Sequence, residues 1–314
     1  MNEIRPKTRE FYTFNEHMKR IIIIIFSMFF LLDTSAQTLV VLGTTQDAGK
    51  PQIGCQRNCC KNLKSRFFVA SLGVSDVKNK KNYLFDATPD ITAQYQLLSK
   101  KTGVKSIDGI FLTHAHSGHY TGLMYLGKEG MNGNKIPVYA MPRLTNYIKN
   151  NGPWSQLVTL ENINLMPLQS LIPITLDKGL IVMPIVVPHR DEYSETVGFK
   201  IIGTKKSALY IPDIDKWKLW EKDIIAEVKA VDYAFIDGTF FSDGEVNRPM
   251  REIPHPFISE TVSLLAALPR ELRERVYFTH FNHTNPLLDT QHPARMSLEQ
   301  AGYHFAATGT RLPM

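Results

Sequence analysis

Short apolar runs alternate with amphipathic segments along most of this chain. Thr38–Gly43 (TLVVLG) predicts a first strand, followed by a Gly/Pro/Asn-rich loop to Cys60. Phe67–Val74 and Asn82–Phe85 predict strands around a Lys-rich turn, and Ile91–Lys100, after Pro89, has helical spacing. Ile107–Thr113, Val138–Met141 and Ile181–Val187 are further apolar strands. Thr196–Ile202 with Ser207–Ile211 predicts a hairpin. Val231–Ile236 and Val276–Thr279 predict late strands, with a helix Ser259–Leu268 between them. Many strands with interspersed helices imply an α/β protein with a two-layer sheet core covered by helices.

The N-terminal pattern differs. Lys19-Arg20 precede the apolar run Ile21 to Leu32, and Thr34-Ser35-Ala36 follow. A charged segment, a short apolar run and a small-residue site have the order of a secretory signal. The run is shorter than the roughly 20 apolar residues of a membrane span. Residues 1–36 are therefore expected to be an N-terminal extension and signal peptide, with the signal starting at Met18. Cleavage after Ala36 leaves 37–314 as one domain, periplasmic or secreted, without lasting membrane insertion.

At 43% hydrophobic and 21% charged residues, the 314-residue chain is neither disordered nor collagen-like. The net charge of +6 is spread out, with no basic stripe interleaved with aromatics. A nucleic-acid partner is not expected, and a small-molecule substrate is. The three cysteines, Cys55, Cys59 and Cys60, fall within six residues. They cannot staple distant parts of the fold. Two of them can pair as a disulfide, or the cluster can hold a metal.

The histidines carry the chemistry. His114, His116 and His119 lie in Thr-His-Ala-His-Ser-Gly-His-Tyr, just after an apolar strand. In extended chain, residues two apart share a face, so His114 and His116 converge. His119 sits where the chain turns into a helix and can face the same point. Three imidazoles so placed suit zinc with an open coordination position. His189, Asp213 and His280 each follow an apolar run. One rim of a sheet core would gather them all.

This pattern, H-x-H-x-x-H followed by His, Asp and His at strand ends, resembles the metallo-β-lactamase fold superfamily. Within it the chain is most similar to coenzyme PQQ synthesis protein B and its relatives. The likeness lies in Gly43-Thr-Thr-Gln-Asp-Ala-Gly-Lys-Pro-Gln-Ile-Gly-Cys55, Phe85-Asp-Ala-Thr-Pro-Asp90 and Thr279-His-Phe-Asn-His-Thr-Asn-Pro-Leu287. The chain also resembles the phosphodiesterase of phosphonate breakdown. The resemblance implies an αββα sandwich with up to two metals on its rim. His114, His116 and His189 would form one site, Asp213 would bridge, and His119 with His280 would form the second. The superfamily pattern H-x-H-x-D-H has a carboxylate where this chain has Gly118. That departure should weaken the second site, leaving one or two zinc ions, or Fe or Mn instead. In the relatives a Gly-Cys-x-Cys-x-x-Cys loop holds a structural zinc. Here Arg57 replaces the middle Cys, Cys59 is the substitute, and Cys55, Cys59, Cys60 and His283 would form a closed set. A Cys55–Cys60 disulfide is the alternative.

A bound divalent ion lowers the pKa of its water from about 15.7 to about 7, giving hydroxide at neutral pH. The leaving group still needs a proton donor. His255, in Ile-Pro-His-Pro before a helix, resembles the histidine that phosphodiesterase relatives place there. Glu192 and Glu195 are weaker candidates. Asp86 is expected to orient a ligand histidine, and Asp90 to cap a helix. The expected function is an exported metal-dependent hydrolase of an ester, phosphodiester or amide-like bond. A PQQ-biosynthesis-type role and a non-catalytic binding protein on the same fold are the alternatives.

Overall fold

Strand Gln37–Gly43 (β1) is buried along its whole length, and alternate residues serve different layers. Leu39 and Val41 join an apolar cluster between two sheets, while Val40 and Leu42 join a second cluster under helices. This is the period-2 geometry of a strand covered on both faces. The computed structural model describes residues 37–314 except 62, 64, 178, 247, 248, 250 and 251. The expected signal segment, residues 1–36, lies outside the described residues. Among the described residues no helix is long and apolar enough to cross a membrane.

The first half of the chain builds one sheet from β1, Ser71–Asp76 (β2), Lys81–Phe85 (β3), Gly109–Phe111 (β4), Ile136–Ala140 (β5) and Ile163–Pro167 (β6). The second half builds another from Ile174–Asp177 (β7), Leu180–Val186 (β8), Val197–Ile202 (β9), Ser207–Ile211 (β10), Tyr233–Asp237 (β11), Val276–Thr279 (β12) and His304–Phe305 (β13). The last strand, Arg311–Pro313 (β14), returns to pair with β1, so each sheet has seven strands. Both sheets are mixed: β3 to β6 and β10 to β13 run parallel, and the other pairs are antiparallel.

The four-layer order follows from the clusters. Phe85, Phe111, Phe199 and Tyr210 fill the space between the sheets. Phe85 stacks on Phe111 at 5.2 Å, and Phe199 meets Phe111 edge-on at 5.6 Å, geometries that aromatic quadrupoles favour. Helices Ile91–Thr102 and Pro142–Asn150 cover the first sheet through Ile91, Leu98, Leu144 and Ile148. Helices Ile224–Lys229 and Ile258–Leu265 cover the second through Ile224, Val228, Ile258 and Leu265. The result is an αββα sandwich.

The predicted hairpin forms as the antiparallel pair β9 and β10. Phe67–Val74 is not one strand, because the ladder begins at Ser71 after a register shift at Gly43. Phe67 and Val69 make only isolated bridges, to Lys50 and Thr45. A side chain on Gly43 would meet the Val69 carbonyl oxygen at 1.9 Å, so the two backbones touch there. Asp90 stands at the start of Ile91–Thr102 but makes no side-chain cap. Its carboxylate instead accepts from the Val69 backbone N–H at 2.9 Å and pairs with Arg66.

The turn after β3 presses against the segment after β4. The Ala87 N–H donates to the His119 carbonyl at 2.8 Å, and the Gly122 N–H to the Ala87 carbonyl at 2.9 Å. A Cβ at Gly122 would lie 2.0 Å from the Thr88 carbonyl oxygen. Gly122→Ala should therefore destabilise the fold by about 1–3 kcal/mol, the usual cost of overpacking. Urea unfolding with an unchanged midpoint would show that the contact yields freely.

Candidate metal centre

Every candidate rim donor follows the C-terminal end of a strand. After β4 the chain runs on through His114 and bends at Ala115 and His116, and the one-turn helix Ser117–Tyr120 then swings His119 inward. His189 follows β8, Asp213 follows β10 and His280 follows β12. The structure brings the first set together: one donor atom each from His114, His116, His189 and Asp213 lies within 4.8 Å of the others. His116 Nδ1 is 2.8 Å from His114 Nε2 and 3.3 Å from His189 Nε2. Asp213 Oδ2 is 3.4 Å from His114 Nε2 and 3.3 Å from His189 Nε2. A tetrahedral cation with bonds of about 2.0–2.2 Å spaces its donors by roughly 3.3–3.6 Å, so the cage is close to that size.

His119, Asp213 and His280 form a second such set around the same carboxylate. His119 and His280 are fully buried, yet their Nε2 atoms have no hydrogen-bond partner in the protein, and neither does Asp213 Oδ1. Buried polar atoms are rarely left unsatisfied, because desolvation without a partner is costly. Two such nitrogens in one donor set with a buried carboxylate fit a cation.

The opposite ring nitrogens are anchored, which aims the free ones at the centre. His114 Nδ1 meets Thr113 Oγ1 at 3.0 Å, and His119 Nδ1 meets Asp86 Oδ2 at 2.8 Å. His189 Nδ1 meets Asp215 Oδ1 at 2.9 Å, and His280 Nδ1 meets Thr239 Oγ1 at 3.0 Å. Asp86 thus has the orienting role expected of it, and it also accepts from the Thr113 N–H at 2.8 Å. Asp215 and Thr239 were not anticipated. The only sequence signal for Asp215 is its place two residues after Asp213, on the same side of an extended segment.

Burial pushes His114 well down and His280 to about 3, which leaves both neutral and able to ligate. Burial also opposes charge on His119 and His189, but carboxylates outweigh it. Asp86 raises His119, and Asp213 with Asp215 raises His189 to about 10. Burial disfavours the Asp213 anion, yet His189, His255 and His280 hold its pKa well below the usual range.

His255 belongs to the same rim. Its Nδ1 lies 2.8 Å from Asp237 Oδ2 and 3.2 Å from Asp213 Oδ1, the second without hydrogen-bond geometry. Asp237 is fixed in turn by the Thr239 N–H and hydroxyl and by the Ile214 N–H. Although burial pulls His255 down, Asp237 and Asp213 raise it above the ordinary value. The ring lines a cleft of about 340 Å³ together with Arg190, Phe240 and Asn282. Glu192 faces His116 Nε2 at 3.3 Å, whereas Glu195 caps the Arg143 backbone N–H away from the cage.

The cysteine loop forms a separate cluster. Cys55, Cys59 and Cys60 are free thiols, and with His283 they place four donors within 4.8 Å of one another. His283 Nδ1 is held by Asn282 Oδ1 at 2.8 Å. The backbone N–H of Arg57 lowers the Cys55 pKa, while burial pushes Cys60 up to about 11. A closed Cys₃His set is the donor chemistry of structural zinc.

Residues 81–281, more than half of the chain, match the Beta-lactamase superfamily domain. The chain belongs to the β-lactamase superfamily. Its fold is the metallo-β-lactamase fold, two mixed sheets flanked by helices. Superfamily members are generally hydrolases. Among similar sequences is coenzyme PQQ synthesis protein B of Nitrosococcus oceani, 26% identical over 86% of this chain and 97% of that protein. The Klebsiella pneumoniae protein of the same name is 25% identical, over 87% and 97%. The structure of Zn(2+)-bound PqqB from Methylobacterium extorquens superposes with a TM-score of 0.75 at 22% identity, covering 88% of this chain and all of that one. A diphosphatase of the PhnP family superposes at 0.61 with 24% identity, covering 88% and 96%.

Asp215→Asn keeps the shape but removes the negative charge that holds the far nitrogen of His189. Rim metal affinity, measured by calorimetry on chelator-stripped protein, should fall about 10- to 100-fold, as for other outer-shell partners. An unchanged affinity would mean that Asp215 has no orienting role. Cys60→Ser should remove one equivalent of tightly held metal, read by elemental analysis. Retention of that equivalent would exclude the cysteine cluster as its site.

Proposed function

We propose that this chain is an exported metal-dependent hydrolase that cleaves a phosphodiester. The observation that carries it is His255, held by Asp237 beside the two donor sets and lining the same cleft as the Arg190 guanidinium. His114, His116, His189 and Asp213 would hold one cation, and His119, Asp213 and His280 another. Such a centre supplies Lewis acidity toward a phosphoryl oxygen and a water acidic enough to serve as nucleophile near neutral pH.

The protein's own residues supply the rest. Asp237 fixes His255 by its Nδ1, so the other ring nitrogen is the one available to the cleft. From there it donates a proton to the leaving oxygen. Arg190 is exposed enough to meet a ligand, and its planar fork suits phosphoryl oxygens. The likeness to a PhnP-family diphosphatase agrees with this chemistry. Export rests on the order Lys19-Arg20, Ile21 to Leu32, Thr34-Ser35-Ala36.

A second reading is a role in PQQ biosynthesis. It is favoured by the likeness to coenzyme PQQ synthesis protein B along 97% of that protein's length. Export would separate the chain from the cytoplasmic steps of such a pathway. Restored growth of a strain lacking its own coenzyme PQQ synthesis protein B would decide for this reading.

Metal-loaded protein should hydrolyse bis(p-nitrophenyl) phosphate faster than it opens a lactone or a β-lactam. His116→Ala should abolish that activity. His255→Ala should lower kcat by about 10²- to 10⁴-fold with metal content unchanged, the range for loss of a general acid. A fully active His116→Ala protein would refute the hydrolytic mechanism, and a fully active His255→Ala protein would remove His255 as proton donor.

A further inference from the structure

Gly118 occupies the position where the superfamily pattern has a metal-binding carboxylate, and its surroundings are not empty. A Cβ built on Gly118 would lie 2.7 Å from Asp47 Cα, 3.1 Å from Asp47 N and 2.9 Å from Asp47 Oδ1. The loop backbone at Asp47 therefore runs through the volume that a side chain at 118 would fill. Asp47 brings its own carboxylate into that volume. Its Oδ1 is buried and has no hydrogen-bond partner in the protein.

The loop is fastened there from both sides. The Phe281 N–H donates to the Thr44 carbonyl at 2.8 Å, and the Gln46 N–H donates to the Phe281 carbonyl at 2.9 Å. Asp47 thus follows directly on a pair of bonds to the residue after His280. Its backbone has φ +33°, in the left-handed region that Asp tolerates better than most residues. Asp47 is also among the charges that favour the protonated form of His119.

We infer that Asp47 is the carboxylate ligand of the second rim cation, delivered from the loop after β1 in place of a residue at position 118. The glycine is then the accommodation that lets this loop approach, rather than a lost ligand. On this inference Gly118 would not weaken the second site. Asp47 stands outside the tight group of His119, Asp213 and His280, so the inference requires its side chain to turn toward them. Carboxylate oxygen is a good donor for zinc and for harder divalent cations alike. The inference rests on the rim being a metal site, and the test separates the two.

The full-length protein is stripped with chelator, reloaded with Co²⁺ or Zn²⁺, and its metal content and Co²⁺ absorption are measured. The unsubstituted chain should hold two rim equivalents besides the cysteine-loop metal. Asp47→Asn, nearly isosteric, should lose one rim equivalent and keep the other, with an unchanged circular dichroism spectrum. Gly118→Asp should not raise rim content, since its Cβ would collide with Asp47. Two rim equivalents retained in Asp47→Asn would overturn the inference. So would a single equivalent in both the unsubstituted and Asp47→Asn proteins, although the rim would still be a metal site. No rim metal in the unsubstituted protein would overturn both.

Discussion

A single buried carboxylate, Asp213, holds the rim together. Its oxygens face His114, His189, His255 and His280 at 3.2–3.8 Å. An anion so deeply buried is stable only with positive charge or donors around it. Here the compensation comes from imidazoles at the ends of four different segments. His114, His189 and His280 are fixed on their far sides by a carboxylate or a threonine hydroxyl, whereas His255 meets both Asp213 and Asp237 through its Nδ1. The electrostatic demand of one residue thus sets the orientation of a whole ring of side chains.

That ring requires the sandwich beneath it. Polar residues converge on one edge because the apolar runs before them end at the same level of two packed sheets. Tyr210 links the layers: its ring packs between the sheets and its hydroxyl approaches Asp86 Oδ2 at 3.5 Å. Asp86 and His280 both hold positive φ, at 71° and 62°. Strained backbone of this kind is retained where surrounding contacts fix it, commonly at functional sites.

The parts of this arrangement set by local pattern were legible in the sequence. The strand-end placement of His114, His116, His189, Asp213 and His280 follows from apolar runs that stop at a polar residue. Much of the outer layer was not legible. The edge strands β6 and β7 are partly exposed and lack an apolar signature. Asp90 occupies a cap position, but a backbone N–H and an arginine from another segment claim its side chain. Asp47 and Gly118 are 71 positions apart, and only the folded chain shows that one fills the space the other leaves.

The donors also come from both halves of the chain. His114, His116 and His119 extend from the first sheet, and His189, Asp213 and His280 from the second. The Val197 N–H donates to the Thr113 carbonyl at 3.0 Å, so the halves are already stitched beside the cage. A cation seated there is a rivet through two plates. It binds only the docked arrangement, so mass action converts its affinity into resistance of the sandwich to opening. Metal scarcity would then act first as mechanical loosening at the mouth of the cleft, before any loss of the sheets themselves.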